Sequence, residues 1–333
     1  MRRIAVISAL PLLLAAFALA GCGSSSSSGS AAVSVTGTFG KAPVVKIPSE
    51  KAGSKLAVTT VVHGSGQTLT KTEAFVGNYA IYLWSGTSHK LLQSTFKTGQ
   101  PTLFSGQLLP GLDKALVGQK MGSRVVAVIP PAEGFGKTGD PSAGIRGTDT
   151  LVFVVDMLKD FQPTASVSGT QASAGKGLPT VSDTTAAAPT VKIPSGAKPP
   201  TKLVSKVLIK GTGPTVAQGD TVVVQYTGVN WRTGQVFDAS WKHGTTGQPF
   251  GFTIGASPSQ VIMGWDRGLA GQTVGSRILL VVPPADGYGK TGSPQAGIKG
   301  TDTLVFVVDI LGTFNGSSTA SYPRQPSFRR SVT

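Results

Sequence analysis

The 333-residue chain has a single cysteine and only three histidines. One cysteine cannot form an intrachain disulfide, and His63, His89 and His243 are far apart and lack a cysteine partner, which argues against a metal site. Charged residues are scarce as well, at 14% of the chain against the usual roughly 25%. This shortage argues against a coiled coil or a highly charged disordered chain. The 40% hydrophobic residues, 44 glycines and 22 prolines favour compact β structure.

Acidic residues are outnumbered by basic ones, 15 to 30, and the formal net charge is +15. Such a charge could suit nucleic acid or an anionic membrane. The basic residues are scattered, however, with no Lys/Arg block and no interleaving with aromatic residues. We therefore interpret them as a solvated basic surface and expect no nucleic-acid partner.

An apolar run at residues 4–20 follows Arg2 and Arg3 and is too short for a membrane span, so it predicts a signal peptide. The run ends in LAGC at residues 19–22, which resembles the lipobox of bacterial lipoproteins. The resemblance implies cleavage before Cys22, lipidation of Cys22, and a lipid anchor at the extracytoplasmic face of the cell membrane. The alternative is an incidental cysteine beside an ordinary signal peptide.

One long segment occurs twice in the chain. Residues 130–158 recur as residues 283–311, with 23 of 29 positions identical at an offset of 153. The lead-in APVVKIPS at 42–49 also recurs, as APTVKIPS at 188–195. The length and the repeat together predict a duplicated domain. The predicted organisation is a signal peptide (1–21), a flexible tether (22–54), a degenerate first domain (55–160), a linker (161–200), a second domain (201–314) and a disordered tail (315–333).

The second copy is predicted to be mostly sheet with one helix. Apolar side chains fall at helical spacing within 260–270, although Gly264 and Gly268 would each cost a free helix about 1 kcal/mol. Such a helix needs a sheet to lie against, so the predicted fold is α+β, an antiparallel sheet folded over one short helix. The predicted strands are 221–226, 250–254, 278–282 and 304–311.

Two glycine-rich stretches resemble nucleotide-binding loops. Residues 134–139 and 287–292 match GxGxxG and contain Gly-Lys-Thr. A phosphate-binding loop needs another glycine upstream, where this chain has Pro131 and Pro284. It also needs a helix after the loop, whereas a strand is predicted here. We interpret both stretches as surface turns and expect no cofactor.

Four blocks of the second copy occur in a fixed order: VQYTG at 224–228, GQVFDAS at 234–240, QVIMGWDRGL at 260–269 and GYG at 287–289. In order and spacing they resemble the FKBP family. The resemblance implies two FKBP-like domains, each an antiparallel half-barrel sheet wrapped around one short helix. It further implies peptidyl-prolyl cis-trans isomerase activity in the apolar hollow between helix and sheet, with macrolides as a further ligand class.

The same resemblance assigns the site residues, with Trp265 as the floor of the hollow. Trp265 could instead be a core tryptophan, Asp238 a turn-capping carboxylate, and Tyr226 and Tyr288 ordinary sheet tyrosines. The family often pairs the aspartate with a basic residue, and the segment 241–243 (WKH) leaves that partner open. The implied catalytic residues are Tyr226, Phe237, Asp238 and Tyr288, and the implied substrate-binding residues are Phe250, Val261, Ile262, Trp265, Ile298 and Phe306.

The first copy loses much of this set, which predicts a folded domain with weak or no isomerase activity. Leu108 and Leu109 replace Val261 and Ile262 conservatively, but no carboxylate replaces Asp238. The alignment sets Tyr79 against Tyr226, Leu92 against Phe237, Gln93 against Asp238, Thr102 against Phe250, Leu112 against Trp265 and Phe135 against Tyr288.

The leading hypothesis is a membrane-anchored isomerase outside the cytoplasm that acts on Xaa-Pro segments of unfolded or secreted proteins, mainly through its second domain. One alternative is a non-catalytic chaperone or adaptor that binds apolar or proline-containing segments. Another is a surface spacer built from two relic domains. We expect a monomer, since no additional apolar helix or strand remains for self-association.

Overall fold

A computed structural model of the chain describes residues 32–244 and 246–315. The predicted signal peptide, Cys22 and the tail from residue 316 onward lie outside the described residues. Within the described ranges, no helix has the length and apolar character that a membrane span requires.

The elements up to the end of the first domain are β1 (Ser34–Thr36), β2 (Val44–Lys46), β3 (Ala57–Val62), β4 (Ala74–Ser85), β5 (Ser88–Ser94), α1 (Thr95–Thr98), β6 (Thr102–Phe104), α2 (Pro110–Leu116), β7 (Arg124–Ile129) and β8 (Thr150–Phe161), with 3-10 turns at Pro131–Glu133 and Pro141–Ala143. Strands β3 to β8 form a six-stranded antiparallel sheet in the order β3-β7-β8-β4-β5, with β6 beside β4. The helix α2 packs on this sheet, and the one-turn helix α1 precedes β6.

The second domain repeats this topology. Its elements are β9 (Thr180–Val181), β10 (Val191–Lys192), β11 (Val204–Ile209), β12 (Thr221–Asn230), β13 (Val236–Ala239), β14 (Phe250–Thr253), α3 (Met263–Leu269), β15 (Arg277–Val282) and β16 (Leu304–Phe314), with 3-10 turns at Ser240–Lys242, Pro284–Asp286, Gly289–Thr291 and Pro294–Ala296. Its sheet has the order β11-β15-β16-β12-β13, with β14 beside β12, and α3 packs on β15. The prediction of an α+β fold in two copies, each an antiparallel sheet packed on a short helix, is confirmed.

The glycines of α3 let the helix lie close to the sheet. A Cβ atom on Gly264 would come within 2.6 Å of Val282 Cγ1, and one on Gly268 within 2.5 Å of Leu280 Cδ2. Both glycines therefore face β15. Their cost in helix propensity is offset by close packing, which places Trp265 and Leu269 in the core.

Both faces of the central strands of each sheet are buried. Along β16, Phe306 and Val308 face the core beneath α3, whereas Val305 and Val307 face the opposite side. Because alternate residues of a strand point to opposite faces, a strand covered on both sides has a continuous apolar sequence.

The segment preceding each domain covers this second face. The hairpin β1–β2 packs on the first sheet with Val35 and Ile47 buried, and β9–β10 packs on the second sheet with Val181 and Val191 partly buried. The sequence predicts a flexible tether at 22–54 and a linker at 161–200. In the structure, the apolar residues within 33–52 and 167–197 instead pack on the sheets. This packing removes the valines of the second face from water.

A buried ion pair binds each preceding segment to its sheet. In the second domain, Arg277 Nε lies 2.7 Å from Asp309 Oδ1, and Arg277 Nη2 donates to the carbonyl of Thr184 at 2.9 Å. Asp309 also accepts from the backbone N–H of Val167 at 3.2 Å. The first domain has the equivalent pair, Arg124 and Asp156.

The two domains contact each other through strand ends. Phe161 of β8 and Phe314 of β16 meet edge to face, with ring centroids 6.1 Å apart. Val76 and Val223 are buried in the same cluster. Across this contact, Thr221 Oγ1 donates to the carbonyl of Pro101 at 2.7 Å.

Candidate active site

Trp265 forms the centre of an aromatic cluster between α3 and the second sheet. It is 4% exposed, and its ring meets Tyr226 and Phe306 edge to face at centroid distances of 5.0 and 5.3 Å. Phe250 lies 6.2 Å from Trp265, and Phe237 lies 5.5 Å from Phe306. The helix thus places an indole at the base of a set of rings from β12, β13, β14 and β16.

All ten residues assigned from the sequence lie in this region. Tyr226, Trp265, Ile298 and Phe306 are buried in one apolar cluster, and Phe237, Phe250, Val261 and Ile262 are partly buried against it. The remaining two are Asp238, which is hydrogen-bonded to Tyr226, and Tyr288, which lines a cleft with Val261 and Ile262.

The cleft opens beside the start of α3. Its volume is about 500 Å³, and its apolar walls include Val261, Ile262, Met263 and Tyr288. Met263 and Tyr288 are 47% and 42% exposed, so apolar surface remains accessible to a ligand at its rim.

Asp238 lies between two polar partners. The hydroxyl of Tyr226 donates to Asp238 Oδ2, and the Nε2 atom of His243 lies 2.8 Å from Asp238 Oδ1. Burial raises the pKa of Asp238, but the hydrogen bonds with Tyr226 and His243 together lower it below its ordinary value. The carboxyl group is therefore ionised at neutral pH.

The two tyrosines of the site stay protonated. Burial, followed by the hydrogen bond to Asp238, raises the pKa of Tyr226 far above its ordinary value. Burial and the negative charge of Asp238 raise the pKa of Tyr288 as well. Both phenols therefore serve as hydrogen-bond donors and not as bases.

Several contributors to the site were not assigned from the sequence. Phe252 stacks on Phe250 and meets Trp265 edge to face. Ser240 accepts a hydrogen bond from the backbone N–H of Tyr226 at 2.8 Å. A Cβ atom on Gly228 would come within 2.7 Å of the Phe237 ring, so the missing side chain makes room for that ring. Gly228 and Ser240 lie within the blocks VQYTG and GQVFDAS, whose fixed residues could have indicated them.

The corresponding region of the first domain lacks the carboxylate and several of the rings. The strand register makes three residues of the first domain equivalent to site residues of the second: Tyr79 to Tyr226, Gln93 to Asp238 and Thr102 to Phe250. These equivalences agree with the sequence alignment. The register also sets Ile81 in the place of Gly228. This larger side chain packs against the first core together with Leu92 and Phe104.

Among the described residues, no three His, Cys, Asp or Glu side chains lie close enough to hold a metal ion. What the site offers is an apolar, ring-walled surface with one carboxylate and two phenols. Such a surface can bind a nonpolar ring and donate a few hydrogen bonds, which suits a reaction of bond rotation.

Fold and site together define a tandem pair of FKBP-like domains, of which the second has the complete set of aromatic and acidic residues. A family model of FKBP-type peptidyl-prolyl cis-trans isomerases matches residues 66–158 and again residues 213–311. The chain belongs to this family, that of the FKBP-type peptidyl-prolyl cis-trans isomerases.

The chain is similar to several named proteins. It is 43% identical over 123 residues to an FK506-binding protein of Streptomyces anulatus, covering 37% of this chain and 94% of that protein. It is 36% identical over 125 residues to a probable FK506-binding protein of Corynebacterium glutamicum, covering 37% and 96%. Among solved structures, the three FKBP domains of wheat FKBP73 match with 23% identity and a TM-score of 0.30, covering 78% of this chain and 94% of that one.

Proposed function

We propose that residues 201–314 are the main isomerase domain and that Cys22 anchors the chain by lipids at the extracytoplasmic face of the cell membrane. There the enzyme would act on Xaa-Pro bonds of secreted or unfolded proteins, whose rotation is slow without catalysis. The observation that carries the assignment of activity to the second domain is the Tyr226–Asp238 hydrogen bond beside Trp265. The first domain has Gln93 and Leu112 at the equivalent positions of Asp238 and Trp265.

The chemistry needs no nucleophile. The rotation barrier of about 18 to 20 kcal/mol comes from amide resonance, which is lost when the bond is twisted. A site lowers the barrier if it binds the twisted amide more tightly than the planar one, and each 1.4 kcal/mol or so gives a tenfold rate increase.

The second domain supplies groups that disfavour the planar amide and groups that bind the twisted one. The rings of Trp265, Phe237 and Phe306 receive the pyrrolidine ring and exclude water, which disfavours the more polar planar amide. By resemblance to the family, the Ile262 N–H and the Tyr288 hydroxyl donate hydrogen bonds to the bound peptide. Asp238 accepts from the Tyr226 hydroxyl and fixes that ring in the wall of the site.

A matched pair of variants in each domain tests where the activity lies. In an isomerisation assay on the full chain, Phe237→Ala and Asp238→Ala should each lower kcat/KM by about tenfold or more. Leu92→Ala and Gln93→Ala, at the equivalent positions of the first domain, should leave it within about twofold. Equal losses in both domains would contradict the assignment to the second domain.

Binding without turnover is the second candidate function, favoured by Leu92, Leu108 and Leu109, which are partly buried against the first core at the positions equivalent to Phe237, Val261 and Ile262. It predicts suppression of client aggregation that survives both Phe237→Ala and Asp238→Ala, without measurable isomerase activity in the parent chain. If the chain shows neither isomerase activity nor suppression of aggregation, the hypothesis of a surface spacer is favoured instead.

The anchor is tested separately from the activity. In bacteria, Cys22→Ser should move the protein from the membrane fraction to the soluble fraction and abolish incorporation of labelled fatty acid. A chain that remains unlabelled with Cys22 intact would refute lipidation.

A further inference from the structure

The ring of His243 contacts the acidic residue of the site. His243 follows the 3-10 turn Ser240–Lys242, and its backbone N–H donates to the carbonyl of Ser240 at 3.1 Å. This turn directs the imidazole back toward β13, where Nε2 lies 2.8 Å from Asp238 Oδ1. The same ring meets Tyr226 edge to face at a centroid distance of 6.1 Å.

Asp238 therefore joins two side chains, with one oxygen toward the Tyr226 phenol and the other toward the His243 imidazole. The carboxylate has no freedom to turn toward one partner without weakening its bond to the other. His243 and Asp238 are 40% and 43% exposed, so bulk water can exchange protons with the imidazole.

We propose that His243 is a positioning residue that holds Asp238 against Tyr226 most firmly in its protonated form, so that isomerase activity falls as the imidazole loses its charge. This inference rests on the proposed function of the second domain. It gives the enzyme a response to pH even though the rotation of the imide bond involves no proton transfer.

The direction follows from hydrogen-bond chemistry. A bond between a charged donor and a carboxylate is roughly twice as strong as a neutral one. Histidine is the side chain that gains or loses its charge between about pH 5 and pH 8. The protonated imidazole thus holds Asp238 at low pH, and the bond weakens as pH rises. An arginine in this position would remain charged throughout.

The other ionisable groups nearby do not reproduce this response. Asp238 on β13 is ionised across the range because its pKa lies below the ordinary value. Tyr226 on β12 and Tyr288, from the loop after β15, stay protonated because their pKa values are raised. Lys242 is the adjacent residue in the chain, and its side chain is exposed to solvent.

The experiment measures kcat/KM of the full chain from about pH 5.5 to about pH 8.5, the range in which histidine titrates. Exchange between the cis and trans signals of a proline peptide is followed by NMR, which needs no coupling protease. The parent chain should lose about three- to tenfold in kcat/KM as pH rises. His243→Arg should keep the high value throughout, and His243→Gln should stay at the low value throughout.

The chain offers matched controls in its two other histidines. His63 and His89 are exposed residues of the first domain, and a His63→Gln/His89→Gln variant should keep the pH profile of the parent. The NMR signals of the histidine rings of the parent are followed over the same pH range. The signal of the His243 ring should change with the same pH midpoint as kcat/KM.

The outcomes separate this inference from the proposed function. A parent chain without activity at any pH refutes the proposed function. An active parent with a flat profile, or a His243→Gln variant that keeps the pH dependence, overturns the role of His243 and leaves the assignment of the second domain intact. A parallel loss in His243→Gln and His243→Arg at all pH values would overturn it as well, because a charged partner would then not suffice.

Discussion

At the scale of single residues, the position of Gly228 distinguishes the two sites by shape. Gly228 lies where a Cβ atom would meet Phe237 at 2.7 Å and Phe306 at 3.0 Å, and the register puts Ile81 in the same place in the first domain. The space that one domain leaves for aromatic walls is occupied by an aliphatic side chain in the other. The loss of the carboxylate in the first copy is accompanied by this change of shape.

Gly228→Ala is therefore expected to impair catalysis although it adds one methyl group. The methyl must displace the Phe237 ring, and overpacking of this kind costs typically 1 to 3 kcal/mol. We expect kcat/KM to fall by about ten- to hundredfold. In Phe237→Leu, where the ring is absent, adding Gly228→Ala should have a much smaller effect. Additive losses in the double variant would contradict the contact as the cause.

The sequence predicts which residues of the second domain lie together better than it predicts their hydrogen-bond partners. Seven of the ten predicted residues lie within the four blocks, and Phe250, Ile298 and Phe306 lie outside them. All ten lie in one region of the structure, because the strands and the helix that carry them pack together there. The sequence does not determine which of residues 241–243 is the partner of Asp238. Whether Lys242 or His243 turns inward depends on the path of a short 3-10 turn, which spacing alone does not determine.

At the scale of elements, helix and strands are predictable because their periods are visible in the sequence. The helix expected within 260–270 is Met263–Leu269, and the strand expected at 304–311 extends to Phe314. The hairpins on the second face are not predictable in this way. Their stretches are rich in Ser, Thr, Ala, Gly and Pro, and the few valines that dock show no period until the sheet beneath them is known.

The buried ion pair of the second domain is expected to hold the preceding segment in place. Arg277→Met leaves Asp309 buried without its charged partner, and breaking a buried pair from one side costs about 3 to 5 kcal/mol. Urea unfolding should show this loss in the free energy of unfolding. The double variant Arg277→Met/Asp309→Leu removes both charges and should recover much of it. If the double variant is as unstable as the single one, the stranded charge is not the cause.

At the scale of the whole molecule, equivalent residues of the two copies meet each other. Val76 and Val223 occupy equivalent register positions, as do Phe161 and Phe314 at the strand ends, and all four belong to one buried cluster. Contact between like residues is the pattern of a self-complementary interface, as in two-fold dimers. In this chain the duplication supplies both halves covalently, which raises their effective concentration and lets a small patch suffice.

This contact should make the two domains unfold together. We expect one cooperative urea transition for the parent chain and two for Phe161→Ala, because removal of the ring takes away the edge-to-face contact with Phe314 and leaves a cavity in the shared cluster. Phe135→Ala is the matched control, since Phe135 belongs to the same domain but is 36% exposed and lies outside the cluster. Its transition should remain single. Two transitions in the parent chain, or a single one in Phe161→Ala, would mean that each domain's stability is set by its own core and hairpin alone.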